Sequence, residues 1–571
     1  MIQGIAASNG IVIGEAFVVS NSQPELPKHT LTPEQLAAEK DRLEQAKTKT
    51  KEQLEKIRIQ LAEKAGNEEA AIFDAHLMLV DDPMLADAIH EAMDGGKNAE
   101  QAVNQAGENF AAMFDAMDDE YMKGRAADVR DICTRWINNL LGVETGSLGN
   151  ITQPSVVFAH DLAPSDTAQM DKSKVLAFVT EIGGRTSHSA IMARSLEIPA
   201  VVGAGTLETV KSGDKVIVDG NSGKVLVNPD EATLAEYEEL RRQFQERRAQ
   251  LQQLKDLPAE TQDGKKFELA ANIGTPNDVD GALANGAQGV GLYRTEFLYM
   301  DRKDMPSEEE QYTAYRQVLE GFGQMPVIIR TLDIGGDKEL PYLKMDKELN
   351  PFLGNRAIRL CLANPEMFKT QLRALLRAGV KGNLWIMLPM VATLDEVRRT
   401  RKLLTEVEAE LDSRGVEFTR DYKLGIMVEI PAAAVQAEHF AREVDFFSIG
   451  TNDLIQYTCA VDRMNEKVSY LYDPFNPAVL RLIQQVISAG HQHGKFVGMC
   501  GEMAGEPLAA PLLVAMGMDE FSMSASSIPQ VKAVIRAMNS NKCQELWQQA
   551  QELTDGNQIR QLMEQTLEGI L

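Results

Sequence analysis

The chain is poor in cysteine and in positive charge, and each shortage excludes something. Its five cysteines (Cys133, Cys361, Cys459, Cys500 and Cys543) are scattered and form no CxxC pair. That pattern argues against a disulfide framework or a zinc cage and fits a reducing compartment. Lysine and arginine total 58 against 84 aspartates and glutamates, a formal net charge of −26. Nucleic acid and anionic membrane are held through Lys and Arg on phosphate, so neither is an expected partner. No uncharged apolar run reaches the length of a membrane-spanning helix. The first basic residue is Lys28, so the apolar start lacks the positive flank of a secretion signal. What remains is a cytoplasmic, acidic globular protein. Its 571 residues exceed the roughly 250–300 that one hydrophobic core serves, so several domains are expected.

Short β-branched runs broken by glycine open the chain (IAASNGIVIGEAFVV) and read as strands. Thr32, Pro33 and Gln35 then form a helix-start signal, and helical spacing dominates residues 30–145. Strand-like runs return in SVVFAHDL, KVLAFVTEIGG, AVVGAG, KVIVDG and KVLVNP. The helices therefore read as a bundle inserted into an α/β domain spanning 1–228. A charged helix over 229–258, closed by Pro258, reads as a linker. Beyond it, from 259 to 571, eight apolar runs alternate with amphipathic helices, the pattern of a (β/α)8 TIM barrel.

Barrel chemistry belongs at the C-terminal strand ends. Those ends carry Arg294 and Glu296, Arg330 and Asp333, Glu429, Asn452 and Asp453, then Cys500 and Glu502. Arg294, Arg330, Arg356 and Arg463 are either surface ion-pair partners or a set of forks for an anion; four on one rim favour the anion. Glu429 and Asp453 either cap helices or hold Mg2+, which takes one or two protein carboxylates and fills its shell with other oxygens. Cys500, in GMCGEMAG, is either a small buried hydrophobe or a thiol able to give up a proton.

Among the eight histidines, His188 stands apart. It follows Gly183 and Gly184 and precedes a helix starting at Ser189, with Arg185 and Arg194 nearby. A phosphoryl group on that imidazole would face free backbone N–H groups and the positive end of the helix dipole.

The segment GGRTSHSAIMARSLEIPAVVG resembles the phosphohistidine signature of the phosphoenolpyruvate-utilising enzymes, and DFFSIGTNDLIQYTCAVDR and GMCGEMAG resemble their second signature. Length, domain order and the helical block together resemble the enzyme I family of bacterial sugar phosphotransferase systems. The resemblance implies a phosphoenolpyruvate–protein phosphotransferase with a swivelling phosphohistidine domain, a helical subdomain and a dimerising barrel. It makes His188 the phosphorylated nucleophile at Nε2, with Thr167 orienting its other nitrogen. It assigns phosphoenolpyruvate to Arg294, Arg330, Asn452, Asp453 and Arg463, with Arg356 nearby. Mg2+ falls to Glu429 and Asp453, and the enolate's proton to Cys500. Asp337, Lys338 and Glu339 join the edge of this site. The phosphocarrier HPr would dock on the helical block around Glu68–Asp87, including His76.

Two other readings share some of these features. A phosphoenolpyruvate synthase or pyruvate phosphate dikinase needs an ATP-binding domain, and no GxxxxGK[ST] loop occurs here. A scaffolding protein without catalysis would have no need of His188, Glu429, Asp453 and Cys500 together. Nitrogen-branch relatives usually carry a sensory domain before the first strand. None precedes Met1-Ile2-Gln3-Gly4-Ile5, so the sugar branch is expected.

Overall fold

The computed structural model describes the chain apart from residues 20–25, 28–30, 33–34, 66, 116–119, 143–150, 152, 163–172, 185–188, 191–192, 194–197, 208, 301, 303, 336–339, 341, 344–347, 464, 466 and 571. The described chain divides into two units, Met1–Arg247 and Arg248–Leu571.

The first unit is built on eight strands: β1 (Ile2–Gln3), β2 (Ile5–Ser8), β3 (Ile11–Val18), β4 (Ser155–Ala159), β5 (Val175–Thr180), β6 (Ala200–Val202), β7 (Lys215–Asp219) and β8 (Lys224–Val227). They form one mixed sheet in the order β1-β8-β7-β3-β4-β5-β6-β2. The central β3, β4, β5 and β6 run parallel. Alternation explains their continuous apolar runs. Val156 and Phe158 of β4 pack into one core while Val157 and Ala159 pack into another on the opposite face. Both faces are covered, so no position along the strand favours a polar residue.

Between β3 and β4 the chain leaves the sheet, and its described residues form the helices α1 (Leu36–Ala65), α2 (Asn67–Val80), α3 (Pro83–Asp94), α4 (Ala99–Asp115) and α5 (Glu120–Leu141). Their shared core holds Leu43, Leu54, Ile57, Phe73, Ile89, Val103 and Trp136. Trp136 also donates its indole N–H to the Leu43 carbonyl at 3.2 Å. At α3, Asp82 caps the Met84 and Leu85 amides while Pro83 occupies the first turn, where its missing N–H costs nothing. At α1, Gln35 does accept from the Thr32 amide at 3.0 Å, but the helix begins at Leu36. The charged helix α6 covers Glu231–Gln253, within the span expected for it.

The second unit is a barrel. Its strands are β9 (Ala259–Glu260), β10 (Lys266–Ile273), β11 (Val290–Tyr293), β12 (Pro326–Arg330), β13 (Asn383–Leu388), β14 (Lys423–Val428), β15 (Phe446–Ile449), β16 (Phe496–Met499) and β17 (Glu520–Met523). Strands β10 to β17 pair in sequence, all parallel, and β17 returns to β10, closing the ring. The short β9 adds to β10 antiparallel. Each of the eight apolar runs supplies one barrel strand.

Alternate residues face inward. Leu292, Ile328, Trp385, Met387, Met427, Phe446 and Cys500 fill the interior, and a much larger core lies between the strands and the surrounding helices. Phe446 lies against Trp385 at a ring-centroid distance of 4.9 Å. A Cβ at Gly425 would fall 2.5 Å from the Phe446 ring, so glycine is required where that aromatic crosses β14. Replacing Phe446 with Ala should destabilise the barrel by about 3–5 kcal/mol. Urea unfolding followed by tryptophan fluorescence should show the lowered midpoint; an unchanged midpoint would mean the interior tolerates the void.

Candidate active site

At the C-terminal end of the barrel is a cavity of about 290 Å3. Arg294 follows β11, Arg330 ends β12, Glu429 follows β14, and Asn452 and Asp453 open the helix Thr451–Cys459 after β15. Cys500 follows β16. All of these line the cavity, as do Arg356 and Arg463 from two loops. The barrel thus brings together Arg294, Arg330, Arg356, Glu429, Asn452, Asp453, Arg463 and Cys500. Thr167, His188 and the Asp337-Lys338-Glu339 segment lie outside the described residues, as do Arg185 and most of the helix expected after His188.

The arginines are paired as well as clustered. Arg330 reaches Glu296 at 2.7 Å through Nη2 and Asp333 at 2.8 Å through Nη1. The other oxygen of Asp333 meets Arg356 at 2.9 Å, and Arg356 lies 3.6 Å from Asp453. One carboxylate therefore holds two guanidinium groups at fixed spacing. Gly335, at a φ of 114°, leaves room for Arg356, whose Cβ would otherwise meet a side chain there. Ala357, next to Arg356, takes a φ of 53°, a left-handed backbone that is uncommon outside glycine.

Charge and burial set the protonation states. Burial pulls the Arg330 pKa down, but Glu296, Asp333 and Glu429 outweigh it and hold the guanidinium firmly charged. Burial acts the same way on Arg356, and Asp333 and Asp453 overcome it. Arg294 is open to solvent along one side yet crowded by protein, and this crowding, with repulsion from Arg330, lowers its pKa. Glu429 is buried and accepts from the Met390 amide at 2.5 Å. Burial, then the charges of Asp453 and Asp333, push its pKa up to about 8. Cys500 is likewise pushed up to about 11, chiefly by burial, so it carries its proton at neutral pH. Asn452 and Glu502 are locked reciprocally: the Asn452 amide donates to Glu502 Oε1 and accepts from the Glu502 backbone N–H, both at 3.0 Å.

Four arginines and four carboxylates (Asp333, Glu429, Asp453 and Glu502) line the cavity. The lining has little net positive charge, so a multiply charged anion needs further cationic help. Glu429 and Asp453 lie close enough for each charge to oppose the other, a repulsion that a divalent ion between them removes. No cluster of three or more metal-ligating side chains occurs among the described residues. Two carboxylates completed by ligand oxygens is the usual manner of Mg2+.

Phe352, Gly335, Met427 and Tyr457 escaped sequence reasoning. Phe352 lies under the Arg356 guanidinium, 5.7 Å from its ring centre, and Tyr457 accepts from Arg356 at 3.4 Å. Phe352 belongs to no recognisable motif, whereas Tyr457 lies within DFFSIGTNDLIQYTCAVDR, one helical turn after Asp453.

Comparison with known proteins decides the family. Residues 3–125 match the N-terminal domain of PEP-utilising enzymes, residues 151–223 their mobile domain, and residues 248–540 their PEP-binding domain. The chain belongs to the PEP-utilising enzyme family. It is 56% identical over 539 residues to a phosphoenolpyruvate-protein phosphotransferase of Geobacillus stearothermophilus, covering 94% of this chain and 93% of that one. To those of Staphylococcus carnosus and Streptococcus equinus it is 52% identical, covering 99% of this chain and 98% of each relative. In the terms of this family the cavity lies in the PEP-binding domain, and His188 falls in the stretch matching the mobile domain.

Asp333 is the residue on which two arginines depend. Asp333→Asn should lower thermal stability by about 3–5 kcal/mol, since it leaves buried guanidinium charge poorly paired. It should also raise the KM for phosphoenolpyruvate by about tenfold or more, because the forks lose their spacing. Calorimetry and initial rates test both, and an unchanged KM would remove Asp333 from the positioning of the site.

Proposed function

We infer that the chain is a phosphoenolpyruvate–protein phosphotransferase, which takes the phosphoryl group of phosphoenolpyruvate onto His188 and passes it to a histidine of a carrier protein. The observation that carries this reading is the cavity. Fixed arginine forks, a carboxylate pair and a protonated thiol share one pocket, in a chain similar along nearly its whole length to enzymes of that name.

Arg294, Arg330, Arg356 and Arg463 bind the phosphate and carboxylate of the substrate, and Asn452 hydrogen-bonds it from the helix start. Bidentate guanidinium contacts fix the orientation that in-line transfer requires. The P–O bond of phosphoenolpyruvate breaks as a P–N bond forms at Nε2 of His188, with Thr167 holding the other ring nitrogen. The transition state is loose, so positioning and neutralisation do most of the work. Glu429 and Asp453 would hold Mg2+, which would supply the positive charge that phosphoryl transfer needs there. The departing enolate takes the Cys500 proton at its methylene carbon and becomes pyruvate. A thiol held near 11 is a weak acid that still protonates a carbanion, and it is in the correct state at pH 7.

The domains divide this work. The α/β domain over 1–228, including the helical subdomain at 30–145, carries His188 and docks the carrier; 229–258 links it to the barrel; 259–571 holds the substrate and dimerises. The carrier is HPr, and the proposed docking face has a suitable surface, but His76 is not part of it, being fully buried 3.2 Å from Asp128. Lys51, Glu55, Leu77, Met78, Asp81, Pro83 and Phe114 line a broad groove, with Met78 and Met84 exposed. Exposed methionines rimmed by charge suit a transient protein contact. Exposed Leu349, Leu353, Val435, Tyr470 and Leu471 on the barrel unit supply apolar surface for a homodimer. No helix among the described residues is long and apolar enough to cross a membrane, and the low cysteine content supports a cytoplasmic setting.

Two measurements test this function. Incubation with labelled phosphoenolpyruvate and Mg2+ should give acid-labile, base-stable label on the native protein and none on His188→Ala; label on the variant would overturn the assignment. Cys500→Ala should slow pyruvate formation by about 10²-fold or more while leaving the KM for phosphoenolpyruvate nearly unchanged, since the proton donor acts only on the leaving enolate. Full turnover would return Cys500 to the role of a packing residue.

A further inference from the structure

Inside the barrel, below the cavity, is a carboxyl group that the reaction as described does not use. Glu520 is the first residue of β17, only 2% exposed, and its Oε1 has no hydrogen-bond partner. Burying such a group without a partner is costly, and cores normally avoid it. The Ser448 hydroxyl on β15 is also fully buried and unpartnered.

The strand register puts these two groups in one row. Ser448 pairs with Gly498, and Gly498 pairs with Glu520, across β15, β16 and β17. Partners in parallel strands face the same side, here the barrel interior occupied by Phe446 and Cys500. Neighbouring strands are about 4.8 Å apart, so Ser448 and Glu520 are two such steps from each other. The Glu520 side chain leans across the intervening strand, because a Cβ at Gly498 would come within 2.9 Å of Oε1. A Cβ at Gly291, on β11, would come within 2.6 Å of the same atom. Glycine at both positions keeps open the space around the carboxyl. Cys500 is two residues beyond Gly498 on the same inward face, one layer higher. Ser448 is near enough to the thiol to stabilise its ionised form, and Glu520 is near enough to oppose it.

We propose that Glu520, acting through Ser448, returns to Cys500 the proton that its thiol gives to the enolate, along a polar column from the barrel floor to the cavity. This rests on the reading of Cys500 as proton donor. When the S–H bond breaks and the enolate C–H bond forms, a buried thiolate is left behind. In one concerted step Ser448 gives its O–H proton to the thiolate and takes one from a bridging buried water, which is reloaded by the Glu520 carboxyl proton, since the two side chains do not hydrogen-bond to each other. Buried water of the kind that bridges unpartnered polar atoms completes the path. Glu520, now a carboxylate, is reprotonated from solvent at the floor, where Asp519 is half-buried and pairs with His491 at 2.9 Å. The net change is one solvent proton consumed per pyruvate, with no oxidant or reductant.

The titratable groups facing Glu520 are Glu268 on β10, Asp519 at the foot of β17 and Cys500 above. Burial, then Glu268 and Asp519, push its pKa up to about 8, so it is loaded at neutral pH. Its supply is full well below that value and is lost as pH rises through it. Glu520 touches no substrate and is a positioning residue for protons.

The test uses full-length Glu520→Gln with HPr as acceptor, comparing the first turnover with the steady state. The first turnover draws on the proton already on sulfur and should match the native protein. The steady-state rate should fall about tenfold, and the decline of native rate through pH 8 should vanish. Glu520→Asp, which keeps a titratable carboxyl, should recover part of the rate. An unaltered steady state and pH profile would overturn the proposal, and so would an equal loss in both phases at every pH, which marks a structural role. Should Glu520→Gln not fold, Ser448→Ala removes a single hydroxyl and gives the same readout. If Cys500→Ala keeps native rates in both phases, it is the donor reading that fails, a result distinct from any Glu520 outcome.

Discussion

Asp333 sits between two guanidinium groups, and the order of the cavity depends on that shared carboxylate. Arginines brought to one rim repel each other, and in a protein cavity the repulsion is weakly screened. A carboxylate bridging Arg330 and Arg356 converts the repulsion into a fixed spacing. Each fork then keeps further N–H donors for a ligand. Glu296 holds Arg330 from behind, so its plane is set by carboxylates on two sides. The left-handed backbone at Ala357 and the glycine at 335 are local costs of placing Arg356 against that carboxylate.

Preorganisation has an electrostatic consequence. Each carboxylate that fixes an arginine also cancels part of the field that an anionic substrate needs. The balance of four arginines and four carboxylates leaves the cavity short of positive charge. Within it, Glu429 and Asp453 raise each other's energy. A divalent cation held by Glu429 and Asp453 would ease both.

Much of this was legible in the sequence. Barrel strands announce themselves because both faces are buried, which turns them into unbroken apolar runs such as LWIML and KLGIMV. The residues after those runs are at the C-terminal rim by construction, which marks Arg294, Arg330, Glu429, Asn452, Asp453 and Cys500, while Arg356 and Arg463 come from loops. What could not be read was pairing. Glu296 and Asp333 are visible as polar strand-end residues, but which arginine each one holds depends on rotamers and loop closure. Phe352 reaches Arg356 from a segment without a motif, and Tyr457 does so from inside a motif whose spacing does not mark it. The helix start at Leu36 rather than just after Thr32 shows the same limit, since a capping signal marks a neighbourhood more reliably than a residue.

Glu520 belongs to the illegible class, because only the register across three strands shows what it faces. The thermodynamics of its burial bear on why it persists. A carboxyl raised from 4.5 to about 8 disfavours its charged form by about 5 kcal/mol, an order-of-magnitude figure. Because the folded-state pKa lies above the unfolded one, stability is full below 4.5 and declines as pH rises toward 8. At neutral pH the residue thus weakens the fold and contributes no hydrogen bond through Oε1 in return. A leucine or methionine would fill the interior without that cost, and the same interior already uses Leu292, Met387 and Met427. Two flanking glycines widen the space around the carboxyl when bulkier residues would pack it. Structure alone gives no reason for that combination. A proton held at neutral pH, one layer beneath a thiol that must be reloaded in every cycle, gives one.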